Sequence, residues 1–130
     1  MNLITRDTDY AIRSLCCIAK KKKALVSVNE LVAELKIPRP FLRKILQILN
    51  KKGILRSYKG KGGGFILKKP LSKISVGDMI RIFQGPVKLQ EHLFKGHICP
   101  SIKRCALKKK IDAIERHVVS ELSSISLSSL

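Results

Sequence analysis

Apolar residues recur at helical spacing in several separate stretches of the chain and run without that spacing in two short ones. Ile12, Leu15, Cys16 and Ala19 stand at i, i+3, i+4 and i+7. That period predicts a first helix, capped by Asp7 or Thr8, with Cys16 on its inward stripe as a small buried hydrophobe. Ser27 and Glu30 have the spacing of a capping box ahead of Leu31, Val32 and Leu35, so a short second helix follows. Ile37-Pro38-Arg39-Pro40 cannot prolong it, because a proline pushes the residue before it out of the α region. Pro40 suits the first position of a third helix, expected from about Pro40 to Lys52. Phe41, Leu42, Ile45, Leu46, Ile48 and Leu49 form its inward set, and Gly53 stands where a left-handed cap belongs. Two short helices across a tight turn make a helix-turn-helix.

The two apolar runs without helical period, Ile54–Tyr58 and Phe65–Lys68, flank Lys59-Gly60-Lys61-Gly62-Gly63-Gly64. Successive glycines permit positive φ and carry no bulk, so a β-hairpin wing with a close-lying tip is expected. The loop is not a dinucleotide turn, since Phe65 occupies the sixth position counted from Gly60. Ser75 and Asp78 offer a second capping box for a helix with Val76, Met79, Ile80 and Phe83 inward, ended by Gly85-Pro86. After a loop-rich stretch, Leu107, Ile111, Ile114, Val118, Leu122 and Ile125 alternate spacings of four and three. This final stripe is long for a small domain's own core, and a second copy of the chain is the simplest partner for it. The fold expected is mainly α with a small β-hairpin wing. A winged helix-turn-helix domain spans 1–86, a loop segment 87–105, and a dimerisation helix with the C-terminal tail 106–130.

Charge says what such a fold would meet. The 130 residues carry 27 Lys and Arg against 9 Asp and Glu, a net +18, which implies a polyanionic partner. The charge is segregated: Lys36 to Pro70 holds eleven Lys or Arg and no acid. In a helix-turn-helix the second helix enters the major groove of double-stranded DNA. Its outward positions here are Arg39, Arg43, Lys44 and Gln47, and Arg and Gln are types that pair bidentately with guanine and adenine edges. Lys51, Lys52 and Arg56 lie further along, toward phosphates. Lys59 and Lys61 sit at a tip able to reach a minor groove.

Other classes fit less well. No nucleophile–base pair or phosphate loop marks an enzyme, and aromatics at 5% are few for stacking single-stranded RNA. A non-specific architectural DNA-binding protein remains an alternative. No apolar stretch reaches the roughly 20 residues that span a bilayer, and Met1 to Asp7 lacks the order of a signal peptide, so a cytoplasmic location without membrane contact is expected.

From Val28 to Pro70 the residues also carry a resemblance. Asn29-Glu30-Leu31 through Leu35, the prolines, Phe41-Leu42, Ile45-Leu46, Gly53, Ser57 and Gly60-Lys61-Gly62-Gly63-Gly64-Phe65 resemble the IscR/NsrR type of regulator, the Rrf2 superfamily. Leu3-Ile4-Thr5, Thr8-Asp9-Tyr10-Ala11 and the close from Ile125 to Leu130 resemble it too. The resemblance implies a dimeric repressor or activator, many of whose kind sense iron-sulfur, nitric oxide or redox status. It implies DNA contact by Arg39, Phe41, Arg43, Lys44 and Gln47, with Lys59 and Lys61 on the wing. Some members carry an acidic residue in the recognition helix that tunes site choice; Arg43 stands in that helix here, so no operator sequence carries over.

The resemblance also frames the cysteines. Cluster-holding members have three before the long helix; this chain has Cys99 and Cys105 there, and His92 falls near the missing position. Imidazole can replace thiolate on iron-sulfur iron, so His92, with His97 second, is a candidate ligand. Asp9 matches a position that supplies a carboxylate in some relatives. Three readings stand open: an iron-sulfur cluster on Cys99, Cys105, His92 and Asp9; a Cys99–Cys105 thiol switch; and a regulator free of both. A zinc site is disfavoured for want of a second ligand pair at finger spacing.

Overall fold

In a computed structural model, which describes residues 2–22, 24–89 and 106–130, five helices surround one apolar core and a two-stranded hairpin projects from it. In chain order these are α1 (Arg6–Lys21), α2 (Val28–Leu35), α3 (Arg39–Lys51), β1 (Leu55–Tyr58), β2 (Gly64–Leu67), α4 (Val76–Gln84) and α5 (Ala106–Ser124). Short 3-10 turns stand at Leu71–Lys73 and Leu127–Ser129. The expected mainly α fold with a hairpin wing is present.

The helix α1 is the base on which α2, α3 and α4 pack. Its cap is Thr5, not Asp7 or Thr8, because the Thr8 hydroxyl turns inward and donates to Gln84 Oε1 at 2.6 Å. The inward stripe is correspondingly Thr8, Ala11, Ser14, Leu15 and Ile18, with Ile12 only packed at its margin. Small residues on that stripe let neighbouring helices approach, and the Ser14 hydroxyl is satisfied by the Tyr10 carbonyl at 2.7 Å. Cys16, expected as the inward cysteine, is only half-buried, while its neighbour Cys17 is buried, 6% exposed.

Both serine caps form. Ser27 Oγ accepts the Glu30 amide at 3.2 Å. The box at α4 is reciprocal: Asp78 N–H to Ser75 Oγ at 3.0 Å, Ser75 N–H to Asp78 Oδ2 at 2.9 Å. Such caps are worth about 1 kcal/mol each. Leu42, Ile45, Leu46 and Leu49 form the buried stripe of α3. Phe41, expected inward, is instead 49% exposed, since it lies off that stripe; Ile48 is half-buried.

The C-terminal segment returns to the core. The Val76 N–H donates to the Ile125 carbonyl at 2.9 Å, the Leu127 N–H to the Ile74 carbonyl at 2.9 Å, and Leu127 is buried. This anchoring divides the final stripe. Leu122 is 8% exposed and packs in the chain's own core with Val118 against it, whereas Leu107 and Ile114 are exposed. Ile125 lies beyond the end of α5.

Candidate nucleic-acid interface

Burial of one face of α3 dictates the other. With Leu42, Ile45, Leu46 and Leu49 committed to the core, Arg39, Arg43, Lys44, Gln47, Asn50 and Lys51 are all exposed. The turn into α3 is set by Pro38 at the cap position, which cannot lengthen α2, while Lys36 closes α2 with a left-handed φ of 55°.

The wing is seated by backbone on the chain ahead of α2. β1 pairs antiparallel with β2, Ser57 opposite Phe65 and Tyr58 opposite Gly64. Val26 adds a further bridge: Phe65 N–H donates to its carbonyl at 2.8 Å and its own N–H to the Phe65 carbonyl at 3.0 Å. The tip turns through positive φ at Gly60 and Gly62. Gly64 has a different reason to be glycine. A Cβ there would lie 2.3 Å from the Val26 carbonyl oxygen, so the strand seats directly on the chain preceding α2.

Helix and hairpin enclose a crevice with two hollows. One, of about 360 Å³, has Arg39, Arg43, Asn29 and Tyr58 in its walls. The other, of about 410 Å³, has Arg43, Gln47, Asn50 and Lys59. Arg43 belongs to both and marks the centre of the face. Four of the expected contact residues, Arg39, Arg43, Gln47 and Lys59, therefore converge. Phe41, Lys44 and Lys61 are exposed but line neither hollow.

Tyr58, Asn29 and Asn50 were not among the expected residues. Tyr58 had a signal, a lone aromatic between Arg56 and Lys59. The Arg56 guanidinium lies 5.5 Å from its ring centroid, a cation–π distance. Asn50 had none, because its part depends on the fold bringing Ser57 to it.

Between α1 and α2, Glu34 forms an ion pair with Lys21. The Lys21 hydrogen bond holds the Glu34 carboxyl below its ordinary range and raises Lys21. Buried Cys17 also bonds to Glu34. Burial first, then that hydrogen bond and the carboxylate's charge, push its thiol up.

Of the expected cluster ligands, Cys99, Cys105, His92 and His97 lie outside the described residues. Asp9 is in the first turn of α1, where its Oδ2 pairs with Arg13 Nε at 2.9 Å. Among the described residues no three His, Cys, Asp or Glu side chains converge as a metal site. Among them, too, no helix is long and apolar enough to cross a membrane.

The sequence matches the profile of Rrf2, described as an iron-dependent transcriptional regulator, over residues 4–130. It is 40% identical over 90 residues to an inferred HTH-type transcriptional regulator of Aquifex aeolicus (strain VF5), covering 69% of this chain and 62% of that protein. The chain thus spans less than two thirds of that relative's length. Protein aau3 of Rhizobium meliloti (strain 1021) is 30% identical over 115 residues, covering 85% of this chain and 75% of that one. Among solved structures, T. potens IscR superposes with a TM-score of 0.73 at 22% identity, covering 98% of this chain and 84% of that one. CymR (YrzC), the global cysteine regulator of B. subtilis, gives 0.70 at 22% identity, covering 98% and 95%. At these identities the likeness is one of fold.

Proposed function

The chain belongs to the Rrf2 family of transcriptional regulators, and we propose that it acts as a homodimer reading specific sequences in double-stranded DNA through α3 and the hairpin wing. Proteins of this family are regulators and not enzymes, and they bind DNA. One observation carries the reading for this chain. Arg39, Arg43, Gln47 and Lys59 converge on a single crevice of a face with no acidic residue from Lys36 to Pro70.

In this reading Arg43 and Gln47 meet base edges from the middle of the recognition helix, where bidentate pairing discriminates by roughly 1–3 kcal/mol per base pair. Arg39, Lys44 and exposed Phe41 extend the contact along the same helix, an apolar ring being able to meet a thymine methyl. Lys59 and Lys61 follow the backbone or minor groove from the wing. Exposed Leu107 and Ile114 on α5 supply the contact between copies. Footprinting and competition against random duplex test the proposal. Protection of two-fold sites is expected; equal affinity for every sequence identifies an architectural protein instead.

Sensing is assigned to residues 87–105, with Cys99 and Cys105 as the reactive pair. The description of the family as iron-dependent favours an iron-sulfur cluster on these thiolates, with His92 and Asp9 completing the ligands. Asp9 must release Arg13 to take that part, a modest cost for an exposed pair. The second reading, a reversible Cys99–Cys105 disulfide, is favoured by the fold shared with CymR, a protein also known in an oxidised form from Staphylococcus aureus. Protein purified without oxygen separates the two. Colour with bound iron and sulfide, lost in Cys99→Ala, marks the cluster; colourless protein with an oxidant-dependent disulfide marks the switch.

A further inference from the structure

Away from the DNA-reading face, α4 and α5 run past each other as a wedge. They are pinched at Gly77, where a Cβ would lie 2.8 Å from Ser123 Oγ. The backbone bonds of Val76 to Ile125 and of Leu127 to Ile74 clamp the same end. The other end is closed by the chain after α4, where the Leu89 amide donates to Glu115 Oε2 at 3.3 Å. Between the two closures lies a hollow of about 230 Å³. Its walls are apolar, from Ile80, Val87, Val119 and Leu122, and Arg81 and Lys88 stand in its lining.

We propose that this hollow binds a small organic carboxylate with a short apolar tail. Volume, lining and charge together select that class. The space is below the roughly 300–1,000 Å³ of drug-sized sites, so the occupant is a small metabolite and not a peptide. The apolar walls reward a branched or cyclic hydrocarbon group. The charge of the lining is two cations against one carboxylate, and that carboxylate, Glu115, already accepts the Leu89 amide. Arg81 touches Asp78 only loosely, at 3.6 Å, while Asp78 is committed through its other oxygen to the α4 cap. The Arg81 side chain is 67% exposed, so from the Asp78 side its fork can turn to the mouth of the hollow for the bidentate pairing that guanidinium makes with carboxylate. A ligand so held touches both helices of the wedge and fixes α5 relative to the winged domain. The site is separate from the DNA-reading face, and its existence does not depend on that reading.

The test is a methyl-resolved NMR titration of the full chain with isovalerate, and with isovaleramide as its neutral isostere. Saturable shifts at Ile80, Val87, Val119 and Leu122 are expected with isovalerate. Isovaleramide should bind roughly tenfold more weakly, and Arg81→Gln should reduce isovalerate to the affinity of the amide. Val119→Trp fills the hollow from an exposed position and should abolish the shifts while the thermal melt stays in place. Absence of saturation overturns the proposal, as do equal binding of acid and amide, or shifts confined to α3 and the wing. So does a Val119→Trp variant that changes oligomeric state, since the hollow is then an interface between copies.

Discussion

The side-chain carbonyl of Asn50, in the exposed last turn of α3, accepts the backbone N–H of Ser57 in β1 at 3.2 Å. The Asn50 main-chain carbonyl also takes the Gly53 N–H at 3.1 Å. One residue thereby ends the recognition helix and ties the wing to it. Asn50→Ala leaves an amide partly exposed to water, so the stability loss should be about 1 kcal/mol, a few degrees in Tm. Its larger effect should fall on DNA binding. If the tie sets where the wing tip stands, Lys59→Ala will cost less in the Asn50→Ala background than in the parent. Additive losses in that double-mutant cycle would show that Asn50 and the tip act independently.

Two glycines of the wing should respond differently to alanine. Gly64→Ala drives a Cβ to 2.3 Å from a backbone oxygen of Val26, and backbone on both sides cannot yield without breaking the Val26–Phe65 bridge. Gly62→Ala meets nothing within 4 Å and carries only the strain of φ +80°. Roughly 1 kcal/mol is expected for Gly62→Ala and two or more for Gly64→Ala. Urea denaturation measures both, and a reversed order would mean that the wing seats on Val26 less closely than described.

Within the interface, Arg43 and Lys61 should separate specificity from affinity. Arg43 lies at the centre of the crevice and Lys61 at the exposed tip. Arg43→Ala should relax discrimination at one or two base pairs by roughly 1–3 kcal/mol. Lys61→Ala should weaken all sequences nearly alike and lower the slope of log K against log salt by about one. An unchanged base preference for Arg43→Ala in a selection experiment removes it from direct readout.

These residues also show what sequence can and cannot reveal. The stripe Leu42, Ile45, Leu46 and Leu49 has the helical period, so both the buried and the exposed face of α3 are legible in the sequence. The glycine-rich tip was equally legible, because turn chemistry is local. Partners distant in sequence were not. Gln84 collects the amide of Thr5 and the hydroxyl of Thr8, two bonds across the fold that go with a cap at Thr5 and an inward-facing Thr8. Cys16, expected on the inward stripe, is half-buried, and its neighbour Cys17 is the buried thiol. Phe41 shows the converse error, since an aromatic beside a buried leucine reads as core when it lies on the open side of the helix.

Cys17 should be the slow thiol of this chain. Burial and the Glu34 carboxylate both disfavour its thiolate, so its pKa lies above the ordinary value of about 9. Alkylation at pH 8 followed by peptide mapping should find Cys17 largely unmodified until denaturant is added. A sign for stability follows. A thiol with a raised folded-state pKa contributes fully below its unfolded pKa, and the contribution is lost as pH rises through the folded value. Stability should therefore decline above about pH 9, less steeply in Cys17→Ala. Rapid native-state labelling of Cys17 would contradict its burial.

The division of the last helix gives a sharper test of self-association than substitution along the whole stripe. Ile114 is 52% exposed and Leu122 is 8% exposed, although both lie on one apolar period of α5. If exposed Leu107 and Ile114 form the contact between copies, Ile114→Asp puts an unpaired carboxylate into an interface made apolar by dimerisation. That variant should sediment as a monomer, keep its helical circular dichroism, and lose affinity for a two-fold site far more than for a half-site. Leu122→Asp should act at the other level. Its carboxylate would enter the chain's own core beside Val118 and α4, with a cost of several kcal/mol, and the protein should melt early or fail to fold at any concentration. Sedimentation and melting of the pair together decide the matter. An Ile114→Asp protein that remains a dimer moves the interface off the exposed part of α5. A Leu122→Asp protein that melts normally shows that α5 is not anchored where the Val76–Ile125 bond places it.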